Sequence, residues 1–597
     1  MQKQNQKPAN KSKNTRKPEP RPQPRCAERP VIYQLLPRLF TNYTPAPVPN
    51  GTIITNGSGK MNAITPLILS EIRSMGFTHV WYTGVIEHAN QSDYTRYGIP
   101  RDNPHIVKGK AGSPYAIKDY YDIDPDIAVN VPRRMAEFEA LVSRTHAAGL
   151  KAIIDFVPNH VARVYHSDAA PEGVVDLGAN DDTDMFFNPN NNFYYIPRQQ
   201  FSPSIPLGTG PDRYVEFPAK CTGNDCFTAY PGPNDWYETV KLNYGFDPGN
   251  RTRHFWPIPD TWHKMLHILL FWAAKGIDGF RCDMAHMVPL EFWEWAVPQV
   301  KQRHPHIIFI AEAYNVALYR PMIERGCFDY LYDKVTLYDT LRGIQCHDTS
   351  AAQLTSCWQT VEGISDHMLT FLENHDEQRY ASKQYAGNPW MAVPAMVAAA
   401  TMSRAAVMVY MAQELGEPAA DAEGFSGLDG RTTIFDYWSL ATLRRWLNEG
   451  KADGAALTDS EKRLRQFYSR LMHLVNDEPA LRCGGFFDVT YANYHNPDFN
   501  PHRQYAYLRH VAEPDGTVSL VLAMLNFDSR PTPMRVVIPQ HAFDHIGIRP
   551  VAAAPVPDLL TGATLTASLS PDEPVTALIP AFGAVLLHFQ GLSIPNS

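Results

Sequence analysis

The chain of 597 residues has little cysteine, no long apolar segment and no strong excess of charge. Its eight cysteines are too few for a scaffold held together by disulfides. Because no run of about 18 apolar residues occurs, we expect no membrane-spanning helix. The formal net charge of -8 argues against the concentrated basic face of a nucleic-acid-binding protein, so we expect no nucleic-acid partner.

The N-terminus lacks the apolar segment of a signal peptide, so a cytoplasmic location is the default expectation. Residues 1–25 contain eight Lys and Arg, one Glu and several Pro. Such a segment cannot bury enough apolar surface to fold, and we predict a disordered basic tail over residues 1–29. Nothing in the composition indicates an oligomeric state.

After the tail, short apolar segments alternate with helical patterns. Eight segments that are apolar on both faces predict buried parallel strands. They lie at 31–37, 79–85, 151–157, 279–284, 307–313, 330–335, 368–374 and 406–412. Eight strand–helix repeats predict an α/β fold with a closed (β/α)8 barrel, the TIM barrel, over residues 30–160 and 251–484.

Helix ends are marked clearly at two places. Pro132, in a first turn where its missing N–H costs nothing, and Gly149, as a C-terminal stop, delimit a helix over residues 132–148. Thr458 and Glu461 have the spacing of a capping box, which predicts that a helix begins there.

Two regions depart from the strand–helix repeat. Residues 161–250 are rich in Asn, Asp, Pro and Gly and are too long for a structureless loop, so we predict an inserted subdomain after the third strand. Residues 485–597 show short alternating segments, which predict a C-terminal antiparallel β-sandwich.

Charged and polar side chains follow four of the predicted strands, where barrel enzymes carry their catalytic groups. Retaining cleavage of a glycosidic bond needs two carboxyl groups about 5–5.5 Å apart, one to attack the anomeric carbon and one to exchange a proton with the leaving oxygen. The four segments supply such groups. They are Asp155–His160, Gly279–Asp283, Ile310–Ala313 and Glu373–Asp376.

These segments resemble, in the same order and at strands three, four, five and seven, the four sequence regions of the α-amylase family of glycoside hydrolases. The resemblance runs from about residue 31 to the end of the chain. It implies a hydrolase that cleaves α-1,4-glucosidic bonds of starch, glycogen or maltooligosaccharides by a double displacement. The α-glucan would then be the partner, and the chemistry would require no cofactor.

The resemblance also implies roles for individual residues. Asp283 matches the nucleophile, Glu312 the general acid/base, and Asp376 the third acid, which binds sugar hydroxyls. Arg281 lies two residues before the nucleophile, on the same face of the strand. Its fixed positive charge would keep Asp283 ionised.

Further residues match the substrate-binding set of the family. His160 and His375 match the two histidines that hydrogen-bond the sugar at the point of cleavage. Tyr115 resembles the tyrosine that stacks beneath that sugar, and Asp155 resembles a structural aspartate held near Arg281.

The match weakens after the nucleophile, where His286 and Met287 replace a Lys-His pair that helps a structural calcium ion in many α-amylases. Met287 is a poor ligand for a hard cation, which prefers oxygen. Asn159 does match a family calcium ligand, and Asn243 stands roughly where an Asp ligand is often found. A structural calcium ion at Asn159 is therefore an open expectation.

Two other functions fit the same sequence features. A glucanotransferase or a glucoside isomerase of this family would use the same three acids, because the choice depends on whether water or a sugar hydroxyl reaches the intermediate. A non-catalytic glycan-binding relative would typically have lost the acids. The presence of Asp283, Glu312 and Asp376 argues against that last alternative.

Overall fold

The computed structural model describes residues 27–593. Residues 1–26 of the predicted tail lie outside the described residues. Arg29 is buried, and its guanidinium donates hydrogen bonds of 2.9–3.1 Å to the carbonyl oxygens of Ala400, Ala405 and Leu481. Arg29 therefore belongs to the folded part of the chain.

Eight parallel strands close into a barrel, which confirms the predicted (β/α)8 architecture. Each strand pairs with the next, and the eighth pairs with the first. Every one of the eight predicted segments contains one of these strands. They are Val31–Leu35, His79–Tyr82, Lys151–Phe156, Gly279–Cys282, Ile308–Ala311, Tyr330–Tyr332, Met368–Thr370 and Ala406–Tyr410.

Helices surround the barrel. The predicted capping box is present, with the Thr458 side chain and Glu461 each bonded to the other's backbone amide. Within residues 27–593, no helix is both long and apolar enough to cross a membrane. The longer helices are Pro66–Ser74, Arg134–Ala147, Asp260–Ala274, Leu290–Arg303, Asp339–Cys346, Val393–Thr401 and Asp459–Asp477; shorter ones are Tyr319–Glu324, Leu354–Thr360, Ala441–Leu447 and Gln540–Ile546.

The fourth strand shows how packing sets the direction of the site residues. Phe280 packs between Phe156 and Phe309 of the neighbouring strands, with ring centroids 6.1 and 5.5 Å away, so it faces the surrounding helices. Because side chains alternate along a strand, Arg281 faces the barrel interior. There it lies in register with Asp155 of the third strand.

The insertion predicted after the third strand is present and contains little regular structure. Three short antiparallel pairs form its framework, around a small apolar cluster that includes Tyr194, Phe201 and Tyr237. These three pairs are His160–Ala162 with Thr239–Lys241, Tyr195–Ile196 with Ala219–Lys220, and Phe246–Asp247 with Thr252–Arg253.

A further antiparallel pair, which the sequence did not indicate, follows the second barrel strand. It joins Ile86–His88 to Ile117–Ile123.

The C-terminal region is antiparallel β structure with its own apolar core, as predicted. Its main sheet has four strands, and two further strand pairs pack with it. The four strands are Gly485–Asp488, Gln504–Ala512, Val518–Asn526 and Gly583–Leu592; the pairs are Thr532–Val536 with Val575–Ile579 and Val551–Pro557 with Thr564–Leu569.

The capping box yields a prediction about stability. Replacing Thr458 by Ala leaves the amide of Glu461 without its partner and should lower the free energy of unfolding by about 1 kcal/mol. Thr458→Ser keeps the hydroxyl and should behave as the unmodified protein. Thermal unfolding of the three proteins tests this; equal midpoints for Thr458→Ala and the unmodified protein would contradict it.

Candidate active site

The carboxyl ends of the barrel strands surround a cavity of about 300 Å³. Five of the seven residues predicted to act on substrate line it. The other two, Arg281 and His375, contact lining residues directly. The structure therefore brings all seven together. The five lining residues are Tyr115, His160, Asp283, Glu312 and Asp376.

A single buried guanidinium lies at the centre of this site. Arg281 has no solvent-exposed surface. Its Nη1 lies 2.8 Å from Asp283 Oδ1 and 3.5 Å from Asp155 Oδ1, and its Nη2 lies 2.8 Å from Glu312 Oε2. Its Nε donates to the hydroxyl of Tyr332 at the end of the sixth strand, a contact that the sequence did not indicate. One positive charge thus contacts three carboxyl groups.

The surroundings of Asp283 oppose its ionisation. Burial, followed by the neighbouring Glu312 carboxylate, raises the pKa of Asp283 well above its usual range, and Arg281 opposes this only in part. This direction runs against the expectation from the sequence that Arg281 keeps Asp283 ionised. Two carboxyl groups that share one guanidinium in a buried site cannot both ionise without cost.

Two donors fix the position of Glu312. The backbone N–H of Met284 donates to Oε2 at 2.7 Å, because Met284 adopts a left-handed conformation, with a φ of 43°, directly after Asp283. The hydroxyl of Tyr314 donates to Oε1. The sequence analysis missed Tyr314, which lies in the segment after the fifth strand, where no strand periodicity indicates the direction of a side chain.

Asp376, His375 and Tyr115 form a second hydrogen-bonded group. Gln34 Nε2 donates to Nδ1 of His375, so the ring hydrogen lies on Nε2, which is 3.0 Å from Asp376 Oδ2 and 2.5 Å from the Tyr115 hydroxyl. The rings of Tyr115 and His375 stack with centroids 5.1 Å apart. Burial raises the pKa of Asp376, but His375 and Arg281 outweigh it and hold that pKa below its usual range.

His160 lies on the other side of the nucleophile. Its Nε2 is 3.9 Å from Asp283 Oδ2, and the ring of Trp236 from the inserted subdomain lies 5.2 Å away. Burial, followed by the positive charges of Lys241 and Lys108, lowers the pKa of His160 to about 3. The imidazole is therefore neutral at physiological pH.

The edge of the cavity is formed by residues that sequence patterns did not single out. Lys108 and Glu238 form an ion pair of 2.9 Å that joins the segment after the second strand to the inserted subdomain. Ile434 and Phe435, which follow the eighth strand, also line the cavity. The backbone of this segment is tied down because Ala111 N–H donates to the Phe435 carbonyl at 2.9 Å.

The contacts of Asn159 do not fit the expected calcium ion. Its Oδ1, the oxygen that would bind the metal, accepts a hydrogen bond from Lys241 Nζ. Its Nδ2 donates to the Gly223 carbonyl at 2.8 Å and lies 3.1 Å from His160 Nδ1. The amide of Asn243 is bonded to backbone groups elsewhere in the insertion. An ammonium group thus stands where the metal was expected.

A (β/α)8 barrel that gathers carboxyl groups at the carboxyl ends of its strands is one of the architectures on which enzymes that cleave or transfer glycosides are built. The family model described as "Alpha amylase, catalytic domain" matches residues 34–433. The chain belongs to the α-amylase family.

Curated relatives include hydrolases and transferases. The α-amylase MalA of Haloarcula japonica is 25% identical over 512 residues, which are 85% of this chain and 56% of that protein. This chain thus spans about half the length of that relative. An α-1,4-glucan:maltose-1-phosphate maltosyltransferase of Cereibacter sphaeroides is 33% identical over 115 residues, which are 18% of this chain and 19% of that protein.

Solved structures share the fold at low sequence identity. A maltogenic α-amylase from Thermotoga neapolitana superposes with a TM-score of 0.58 at 18% identity, covering 94% of this chain and 98% of that one. A cyclic α-maltosyl-(1→6)-maltose hydrolase from Arthrobacter globiformis superposes with a TM-score of 0.57 at 18% identity and the same coverage. These likenesses concern the fold alone.

The opposite pKa shifts of Asp283 and Asp376 predict opposite effects on stability. The pKa of Asp283 is raised, so its ionised form destabilises the fold above the ordinary aspartate pKa of about 3.9. Asp283→Asn should therefore raise the thermal unfolding midpoint at pH 7.5, and the gain should shrink towards pH 4.

Asp376→Asn is the matched variant. The pKa of Asp376 is lowered, so its ionised form stabilises the fold above the ordinary aspartate pKa, and that contribution is lost as the pH falls. The substitution should lower the midpoint at pH 7.5. Shifts of the same sign in the two variants would show that this account of the charges is wrong.

Proposed function

We propose that the protein is a retaining α-glucan hydrolase that cleaves α-1,4-glucosidic bonds in maltooligosaccharides and at the ends of starch- or glycogen-type chains. The observation that carries the proposal is the contact of one buried guanidinium, Arg281, with both Asp283 and Glu312. This contact holds the two carboxyl groups that a double displacement requires beside the same guanidinium. Membership of the α-amylase family supports the same chemistry.

In the first step, Oδ of Asp283 attacks the anomeric carbon while Glu312 protonates the departing glycosidic oxygen. A bond forms between the anomeric carbon and the aspartate, and the carbon–oxygen bond to the leaving sugar breaks. For this step Asp283 must be ionised and Glu312 must carry the proton that the leaving oxygen receives.

In the second step, Glu312 takes a proton from water, and the water oxygen attacks the anomeric carbon to release Asp283. Two displacements on opposite faces restore the α configuration. His160, His375 and Asp376 offer donors and an acceptor around the sugar hydroxyls. The neutral state of His160 suits this role, since it adds no positive charge beside a positively charged transition state.

The size of the cavity supports action on short glucans or chain ends. A volume of about 300 Å³ is at the lower end of the range for ligand pockets. The Lys108–Glu238 ion pair and Phe435 form a wall on one side. Such a site accommodates one or two sugar rings more readily than the middle of a long chain.

A second candidate is transfer of a glucosyl or maltosyl group to another sugar. It is favoured by a segment of 115 residues that is 33% identical in sequence to α-1,4-glucan:maltose-1-phosphate maltosyltransferases. The same covalent intermediate would form, and a sugar hydroxyl would replace water in the second step. The arrangement of Asp283 and Glu312 is compatible with both outcomes.

Proton NMR of the anomeric signals during reaction with maltotriose and soluble starch separates these candidates. Hydrolysis with retention should yield new α-anomeric reducing ends first, with only shorter products. Asp283→Asn should produce none. Products longer than maltotriose would favour transfer, and β-anomeric products appearing first would contradict a retaining mechanism.

The two carboxyl groups should respond differently to the leaving group. Asp283→Asn and Glu312→Gln should each lower turnover of maltotriose by about 1000-fold or more. Fluoride departs without a proton, so Glu312→Gln should still release fluoride rapidly from α-maltosyl fluoride in the first turnover, before the second step, which needs Glu312 as the base, becomes limiting. Asp283→Asn should show no such rapid first turnover. Fluoride-electrode measurements test this, and equal loss in both variants would contradict the assigned roles.

A further inference from the structure

Lys241 places a buried positive charge between the barrel and the inserted subdomain. It ends the strand Thr239–Lys241 and is paired directly with His160 on the neighbouring strand. Its side chain is 8% exposed. Its Nζ lies 2.7 Å from Asp225 Oδ1 and 3.3 Å from the Met287 carbonyl, and it also donates to Asn159 Oδ1.

These three oxygens come from three different parts of the chain. Asn159 follows the third barrel strand, Asp225 belongs to the inserted subdomain, and Met287 lies in the turn after the nucleophile strand. A carboxylate, an amide oxygen and a backbone carbonyl are the groups that a calcium ion takes. Here a lysine ammonium donates to them, so the same junction is held by a charge that the chain itself provides.

We propose that Lys241 is an internal cation that replaces a structural calcium ion at this junction and, through Asn159, positions His160 in the active site. The first part concerns stability and is independent of the reaction. The second part rests on the proposed function.

The positioning argument follows from the hydrogen-bond directions. Because Lys241 can only donate, it fixes Oδ1 of Asn159 towards itself and turns Nδ2 towards His160 and the Gly223 carbonyl. The Nδ2 group also only donates, so Nδ1 of His160 must accept and its hydrogen must lie on Nε2. That Nε2 faces Asp283 Oδ2 at 3.9 Å. The ammonium thereby selects the tautomer that presents an N–H to the cavity.

The position of the ring hydrogen matters for substrate. A His160 ring with its hydrogen on Nε2 can donate to a sugar hydroxyl oxygen. Loss of the ammonium would free the Asn159 amide to rotate and would remove this constraint.

Thermal unfolding with EDTA or with added calcium tests the first part. The unmodified protein should unfold at the same temperature in both. Lys241→Met should unfold at a lower temperature in both. Lys241→Asp removes the ammonium and adds a fourth oxygen to the three already present, so it should become stabilised by calcium and destabilised by EDTA.

Kinetics tests the second part. Lys241→Met should lower kcat by about 10- to 100-fold, as loss of an orienting partner does, with a smaller change in KM. Lys220→Met is the matched control, because Lys220 is a lysine of the same subdomain whose Nζ donates to the Arg163 carbonyl. It should retain kcat even if its unfolding temperature falls.

The proposal is overturned if EDTA lowers the unfolding temperature of the unmodified protein and calcium restores it while Lys241→Asp gains no calcium response. It is also overturned if Lys241→Met unfolds and turns over substrate as the unmodified protein does. Failure of the function proposal is distinct, since an unmodified protein without activity on glucans would leave the thermal results intact.

Discussion

The active site depends on one buried guanidinium among three carboxyl groups. A buried charge is costly unless it is paired, and Arg281 has no exposed surface. Asp155, Asp283 and Glu312 supply the compensating charge from the third, fourth and fifth strands. Three carboxyl groups exceed one guanidinium by two, and burial together with the neighbouring Glu312 carboxylate raises the pKa of Asp283 despite its contact with Arg281. Structural and chemical requirements are met here by the same contacts.

Much of the barrel and of the catalytic group was predictable from the sequence. All eight strands were found because buried parallel strands are continuously apolar, and Asp283, Glu312 and Asp376 stood out because they follow such strands directly. Their roles remain predictions. The inserted subdomain was recognised only by its length, since strands of two or three residues such as Tyr195–Ile196 carry no readable periodicity.

Contacts between distant segments of the chain could not be predicted from the sequence. The Lys108–Glu238 ion pair and the bond from Tyr314 to Glu312 depend on how loops meet in space. The calcium expectation at Asn159 disagrees with the structure for the same reason, because a single sequence does not show which cation reaches an amide oxygen. Lys241 lies 82 residues further along the chain, and only the pairing of its strand with His160 brings it there.

Phe280 and Arg281 face opposite sides of the fourth strand, and this alternation restricts the insertions and deletions that the strand can tolerate. Insertion or deletion of one residue within Gly279–Cys282 would turn the guanidinium towards the helices and a phenyl ring towards the three carboxyl groups. Such a change would disrupt the packing of the barrel and the charge pairing of the site together. The segments after the strands can change in length without reversing this alternation, so they are the part of the site that is free to vary.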